Sequence, residues 1–192
     1  MQQYNPNIHH RKSIRLKGYD YTQAGLYFIT ICCNRGGELH SPFGYIENGQ
    51  MILNEYGQIA YNEWMKTPEI RPNVELGAFI IMPNHMHGII RLLGRGELHS
   101  PNETGIYDMP EPPDNGGVCK TPLQSPSQTV GAIVRGYKSS VTKRLGLLGF
   151  NGKLWQRNYY EHIIRNELSY QNISNYIINN PAKWQEDKFF IA

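Results

Sequence analysis

The chain has little cysteine and no long apolar segment, and each shortage excludes a class of protein. Its 192 residues include 3 cysteines, Cys32, Cys33 and Cys119, which are too few for a disulfide scaffold and have no zinc-site spacing. No apolar run approaches the ~18 residues of a membrane span, and the polar N-terminus lacks the apolar stretch of a signal peptide. We therefore expect reduced thiols, no membrane partner and a cytoplasmic protein of the bacterial type.

The chain also lacks a strong charge of either sign. Its formal net charge is +3, which permits a polyanionic partner without requiring one. Hydrophobic residues make up 40% and aromatic residues 11% of the chain, which is typical of a globular protein. The length suits one sizeable core. We therefore expect a single domain over residues 1–192.

The predicted elements follow the order strand, helix, strand, strand, helix, strand, helix. Runs of β-branched and aromatic residues predict the strands, at 26–33, 74–81, 86–93 and 154–165. Apolar residues at helical spacing predict the helices, which begin after caps at Asn54 and Ser125 and, for the last one, span residues 168–180. Pro68 and Pro72 are expected to end the first helix. Asn48-Gly49 predicts an extra hairpin after the first strand.

This order is that of the ferredoxin-like split βαβ fold, an α+β class. We expect an antiparallel sheet with helices on one face, an extra hairpin in the N-terminal half and a final C-terminal helix. The first and third strands are central neighbours in this topology. We therefore expect His85 and His87, at the start of the third strand, near the middle of the sheet.

Two segments do not fit the pattern. Residues 1–25 read as a basic N-terminal arm. Residues 94–126 are rich in Gly, Pro, Ser and Asn and lack any apolar period, which predicts a long flexible loop or insert. The hexapeptide GELHSP occurs at 37–42 and again at 96–101, which favours insertion of a repeated element at tolerant positions.

His85 and His87 lie two apart at the start of a predicted strand, so both side chains point to the same face. Their Cβ atoms are then ~6.5–7 Å apart, close enough for both rings to reach one metal ion. The alternative is a pair of half-buried histidines with no ligand.

Tyr176 and Asn180 lie four apart in the last predicted helix and share one of its sides. Asn180 puts an amide where the apolar stripe of this helix, formed by Ile173, Tyr176 and Ile177, would otherwise continue. An asparagine before Pro181 is also an ordinary helix C-terminus, and a tyrosine in such a stripe is often a core aromatic. The residues alone leave these alternatives open.

Several basic side chains are candidates for contacting DNA phosphates, with a solvated surface as the alternative. They are Arg11, Lys12, Arg15, Lys17, Arg135, Lys138 and Arg165. Trp155, Tyr159 and Tyr160 are candidates for stacking on the bases of a single strand, with core packing as the expected role of at least two of them.

Taken in order, these motifs resemble the single-tyrosine transposases of the HUH endonuclease superfamily. The resemblance rests on "IMPNHMHGII" with His85 and His87 and on "NYIINNP" with Tyr176 and Asn180. The segments "LWQRNYYEHIIRNE" and "SIRLKGYDY" resemble the branch called REP-associated tyrosine transposases. The likeness covers about residues 11–93 and 125–184 and leaves out the long loop.

The resemblance implies a ferredoxin-like fold and a divalent metal, Mg²⁺ or Mn²⁺, on His85 and His87 with Asn180 as third ligand. It implies that Tyr176 is the nucleophile of a single-stranded DNA endonuclease and strand transferase. Such an enzyme cleaves DNA near hairpin or repeat sequences through a 5′-phosphotyrosine intermediate. The alternatives are an inactive ferredoxin-like nucleic-acid-binding module, or a metal-dependent hydrolase in which Tyr176 is structural. A monomer and a homodimer both fit the pattern.

Overall fold

The structure, a computed structural model, describes residues 23–34, 40–94 and 129–190. Residues 1–22 of the predicted arm 1–25 lie outside these ranges, and so do the four candidate DNA-binding residues of that arm. The predicted loop 94–126 lies outside them beyond residue 94, as do Cys119 and the predicted cap Ser125.

A four-stranded antiparallel sheet forms the centre of the fold, in the order β4-β5-β1-β6. Strands are numbered along the chain, with β2 and β3 forming a separate hairpin. Their bounds are β1 (Gly25–Cys32), β2 (Gly44–Glu47), β3 (Gln50–Leu53), β4 (Val74–Ile81), β5 (His85–Leu92) and β6 (Tyr160–Ile164). Strands β1 and β5, first and third in the chain order of the sheet strands, are central neighbours. The ferredoxin-like α+β prediction is therefore confirmed.

The helices occupy both faces of the sheet. They are α1 (Glu55–Met65), α2 (Thr67–Ile70), α3 (Val130–Leu147) and α4 (Glu167–Asn179), followed by a 3-10 helix (Pro181–Glu186). On one face α1 and α3 enclose the larger core, in which Trp64 and Tyr137 are buried edge to face. On the other face Ile173 and Ile177 of α4 pack against Ile89 of β5. This second face carries the two histidines, because they share the side-chain parity of Ile89.

Local sequence signals explain most element ends. The Asn54 side chain accepts the Gly57 N–H at 2.9 Å and caps α1, as predicted. Asn48 and Gly49 both have positive φ, 50° and 72°, as a two-residue hairpin turn of the primed type requires. The hairpin prediction is confirmed.

Three predicted boundaries are wrong. Strand β6 begins at Tyr160, because Trp155 is drawn into the core and its indole N–H donates to the Lys138 carbonyl. Helix α3 begins at Val130, because the Thr129 side chain accepts the Ala132 N–H and caps it there. Pro68 does not end helical structure but lies in the first turn of α2, where a proline's missing N–H costs nothing.

Candidate metal and nucleophile site

His85 and His87 lie at the start of central strand β5, on the face that α4 crosses. Their exposed fractions are 0% and 1%, because β1, α4 and the segment after α4 surround them. The two Nε2 atoms are 3.0 Å apart. The spacing predicted from strand geometry therefore does bring both rings together at one point.

Asn84 and Thr30 orient the two rings. The Asn84 amide Nδ2 donates to the Phe189 carbonyl at 2.8 Å, so its Oδ1 is the atom that faces His85 Nδ1 at 3.0 Å. That carbonyl oxygen can only accept, so Nδ1 carries the proton and Nε2 the lone pair. Thr30 Oγ1 lies 2.8 Å from His87 Nδ1 and can hold the second ring in the same tautomer. Buried partners of this kind are typical behind metal-ligating histidines.

The pair fits a divalent cation. Two lone pairs that face each other at 3.0 Å repel unless they share a cation. Ligand atoms at right angles around an ion with bonds of ~2.1 Å are themselves ~3.0 Å apart. Burial lowers the pKa of His85 well below 6.5, helped by His87 and Lys188. Burial also lowers the pKa of His87, to about 4, with Lys188 lowering it and Asp187 opposing. Both rings are therefore neutral and free to ligate at neutral pH.

Helix α4 delivers Tyr176 to this pair. The Asn166 side chain caps the helix by accepting the Ser169 N–H at 2.8 Å, and Ile177 anchors it on the sheet. The Tyr176 hydroxyl then lies 3.2 Å from His87 Nε2, while the side chain stays 44% exposed. The rings of Phe28 and Tyr176 pack at right angles to each other, with centroids 6.2 Å apart.

The surroundings of Tyr176 hold its hydroxyl neutral. Burial raises its pKa above 10, and the negative charge of Asp187 raises it further, against a hydrogen bond from Asn180 that lowers it. A nucleophilic role therefore needs a positive charge close to this oxygen.

Asn180 is the C-cap residue of α4 and is buried. Its amide Nδ2 donates to Asp187 Oδ2 at 3.0 Å. Its Oδ1 is buried and has no hydrogen-bond partner within the described part of the chain, so it is an acceptor available to a ligand. The structure thus brings His85, His87, Tyr176 and Asn180 together, and their catalytic and ligand roles stay predictions.

Sequence reasoning missed Asp187. One of its carboxylate oxygens and one ring nitrogen from each histidine all lie within 4.8 Å of one another, a group that could hold a metal ion. The aromatic ring of Phe189 packs on His85 with centroids 4.6 Å apart and closes the site beside it. Asp187 follows Asn180 by seven positions in a segment without periodicity, so no motif pointed to it.

The described DNA-binding candidates lie away from this site. Arg135 and Lys138 belong to α3 on the other face of the sheet, and the Lys138 ammonium donates to the carbonyls of Gln156 and Asn158. Arg165 follows β6 at the end remote from the histidines. Within the described part of the chain, Lys188 is close enough to lower the pKa of both histidines, and its Nζ lies 5.5 Å from the Tyr160 ring centroid.

Of the three aromatic candidates for base stacking, Trp155 and Tyr159 pack in the larger core. Tyr160 is 50% exposed. Tyr160 lies on the edge strand β6 and pairs with Thr30 of β1, and Thr30 in turn pairs with His87 of β5.

Comparison with known proteins adds a sequence relative and a structural neighbour. No family model matches the chain. An uncharacterized protein of Haemophilus influenzae is 42% identical over 190 residues, which are 98% of this chain and 97% of that protein. The two proteins belong to one family.

The solved structure of a REP-associated tyrosine transposase bound to a REP hairpin is similar in fold. The match has a TM-score of 0.53 and 23% identity, and covers 98% of this chain and 77% of that chain. The chain therefore has the fold of a REP-associated tyrosine transposase, which is the fold that its sequence motifs implied. Within the described ranges, none of the helices is long and apolar enough to cross a membrane.

Proposed function

We propose that this protein is a tyrosine endonuclease and strand transferase that acts on single-stranded DNA, as a transposase of the REP-associated type. The observation that carries the proposal is the approach of the Tyr176 hydroxyl to within 3.2 Å of His87 Nε2. A buried histidine pair and a half-exposed tyrosine thus meet at one point within one chain. A monomer can therefore hold the complete set, although a homodimer that exchanges α4 would hold it equally.

The metal-binding part of the proposal assigns His85 Nε2, His87 Nε2 and Asn180 Oδ1 as ligands of a Mg²⁺ or Mn²⁺ ion. Two imidazoles and one amide leave coordination positions for water and a phosphate oxygen. When bound, the divalent cation polarises the scissile phosphate and offsets the ~4 kcal/mol needed to ionise a tyrosine at pH 7. Thr30 and Asn84 hold the rings in the tautomer that this arrangement needs.

Tyr176 is the proposed nucleophile. Its oxygen attacks the phosphorus, a bond from phosphorus to the tyrosine oxygen forms, and the bond to the 3′ oxygen of the preceding nucleotide breaks. The phenol proton passes to water, and the departing oxygen takes a proton from water as a free 3′-hydroxyl. The DNA is left attached as a 5′-phosphotyrosine, which a second DNA end can attack to complete strand transfer.

The proposed substrate is single-stranded DNA next to a hairpin or repeat, because the similar solved transposase was bound to a REP hairpin. The half-exposed ring of Tyr160 offers a stacking surface beside the site. Such a substrate places the activity in the cytoplasm, at the nucleoid.

The test is to trap a covalent protein–DNA adduct. The full chain is incubated with Mn²⁺ and labelled oligonucleotides, each a hairpin with single-stranded flanks of randomised sequence, and the products are separated under denaturing conditions. We expect a labelled protein band for the wild type and for the matched control Tyr160→Phe. We expect none for Tyr176→Phe or His87→Ala, whose DNA affinity should persist because it comes mainly from phosphate contacts.

The outcomes separate the candidate functions. An adduct mapped to a peptide containing Tyr159 or Tyr160 would contradict the assignment of Tyr176 while leaving the class of enzyme intact. DNA binding with no adduct under any metal would favour the inactive nucleic-acid-binding module. Cleavage that survives Tyr176→Phe would favour a metal-dependent hydrolase.

A further inference from the structure

We propose that Asp187 is a fourth protein ligand of the divalent metal and that Asn180 positions its carboxylate. This inference rests on the proposed function, since it concerns the same metal. The motif around the nucleophile ends at Pro181, so it gives no role to Asp187, six positions further on. Asp187 lies beyond α4, just after the 3-10 helix.

The distances allow one ion to contact all three groups. The chosen carboxylate oxygen and the two imidazole nitrogens lie within 4.8 Å of one another. Ligands on opposite sides of an octahedral ion with bonds of ~2.1 Å are ~4.2 Å apart. A limit of 4.8 Å is close to that separation, so the three groups would fit around one ion after a small inward shift of the carboxylate.

The carboxylate is already held in place. Asn180 Nδ2 donates to one of its oxygens at 3.0 Å, and the Phe189 N–H donates to the other at 2.6 Å. Each carboxylate oxygen has a second lone-pair direction, so both donors leave Asp187 able to ligate. Donors behind a ligating carboxylate are the usual outer shell of a metal site.

The backbone around Asp187 is anchored to the histidines themselves. Trp184 and Phe189 are buried on either side of it, and both aromatic rings contact the His85 ring, at 5.9 Å and 4.6 Å between centroids. The Phe189 carbonyl accepts from Asn84 at 2.8 Å. The position of Asp187 is thus tied to the residues that orient the ring of His85.

The charge also suits the ion. His85, His87 and Asn180 are all neutral ligands, and hard cations such as Mg²⁺ and Mn²⁺ prefer anionic oxygen. Four protein ligands would still leave two of six positions for a phosphate oxygen and water. Asp187 therefore supplies the negative charge that the histidine pair and the amide lack.

The test measures Mn²⁺ binding by calorimetry in the full chain without DNA, so that it does not depend on cleavage. We expect Asp187→Asn to bind Mn²⁺ at least about tenfold more weakly than the wild type. Glu186→Gln, which removes the neighbouring exposed charge, should bind like the wild type. His87→Ala should lose binding. Metal-free thermal melting checks that each variant is folded, and Asp187→Ala replaces Asp187→Asn if the latter is not.

Wild-type affinity in a folded Asp187 variant, with binding lost in His87→Ala, would overturn the inference and leave the proposed function standing. An equal loss of affinity in Glu186→Gln and Asp187→Asn would also overturn it, since the effect would then be general electrostatics. If Mn²⁺ binds more weakly to the Asp187 variant alone, and the wild type forms no DNA adduct, the result would support Asp187 as a metal ligand and contradict the proposed nuclease activity.

Discussion

Gly88, which directly follows His87, should be essential for packing of the helices on the far side of the sheet. A Cβ added at Gly88 would lie 2.8 Å from Trp64 Cζ2 and 3.3 Å from Phe79 Cβ. Trp64 is fully buried and its ring is held edge to face by Tyr137 at 5.2 Å, so it has no room to yield. Overpacking of this kind costs about 1–3 kcal/mol. For a chain of this size the melting temperature should fall by about 2–12 °C.

The assay is urea unfolding of four proteins: the wild type, Gly88→Ala, Trp64→Phe and the double variant. Phenylalanine lacks the ring carbon that the new methyl group would meet, so Gly88→Ala should cost little or nothing in the Trp64→Phe background. We expect a coupling free energy of at least about 1 kcal/mol between the two sites. Gly146→Ala is the matched control, because nothing lies within 4 Å of its added Cβ, and alanine should stabilise that helix by up to about 1 kcal/mol.

Additivity of the two substitutions within about 0.5 kcal/mol would refute the reasoning. So would a destabilisation of equal size in Gly146→Ala, since the cost would then come from adding any methyl group.

Two further predictions concern DNA affinity and acid stability. Tyr160→Ala should weaken binding of a labelled single-stranded oligonucleotide about fivefold or more. Tyr45→Ala, at a similarly exposed tyrosine of the hairpin, should not weaken it. Fluorescence anisotropy measures both affinities, and equal losses would contradict a stacking role for Tyr160. Burial raises the pKa of Glu63, but hydrogen bonds from Ser140 and Lys66 and the charge of Arg144 outweigh it, so the pKa lies below 4.5. A carboxyl group with a lowered pKa contributes stability that is present above its unfolded pKa and is lost as the pH falls below about 4.5. Between pH 6 and pH 3 the melting temperature should therefore fall more steeply in the wild type than in Glu63→Gln. Parallel curves for the two proteins would contradict the stabilising role of this network.

The sheet, and the shared face of the site residues within β5 and within α4, could be predicted because their signals are periodic. Alternation along β5 sets both histidines on one face, and helical spacing sets Tyr176 and Asn180 on one side of α4. The order of elements allows the last helix to cross the histidine face without requiring it, and the family resemblance is what implied that these two segments meet.

The rest of the site depends on tertiary contacts that leave no periodic trace. Asn84 reads as a turn residue beside Pro83, yet its side chain donates to the carbonyl of Phe189, 105 positions further along the chain. Asp187 lies just after a short 3-10 helix, where no spacing rule applies. Lys138 reads as a basic surface residue, yet the loop before β6 supplies two carbonyls to its ammonium.

The separation of His87 and Tyr176 along the chain has a consequence during protein synthesis. The two residues that meet at 3.2 Å are 89 positions apart. At the usual speed of translation, the histidine strand leaves the ribosome about 4–18 s before the tyrosine helix. Throughout that interval the nascent chain lacks the proposed nucleophile, and a chain that stops before Tyr176 never acquires it. Under the proposed mechanism, a truncated product of this kind can hold the histidine pair but cannot form a phosphotyrosine bond through Tyr176.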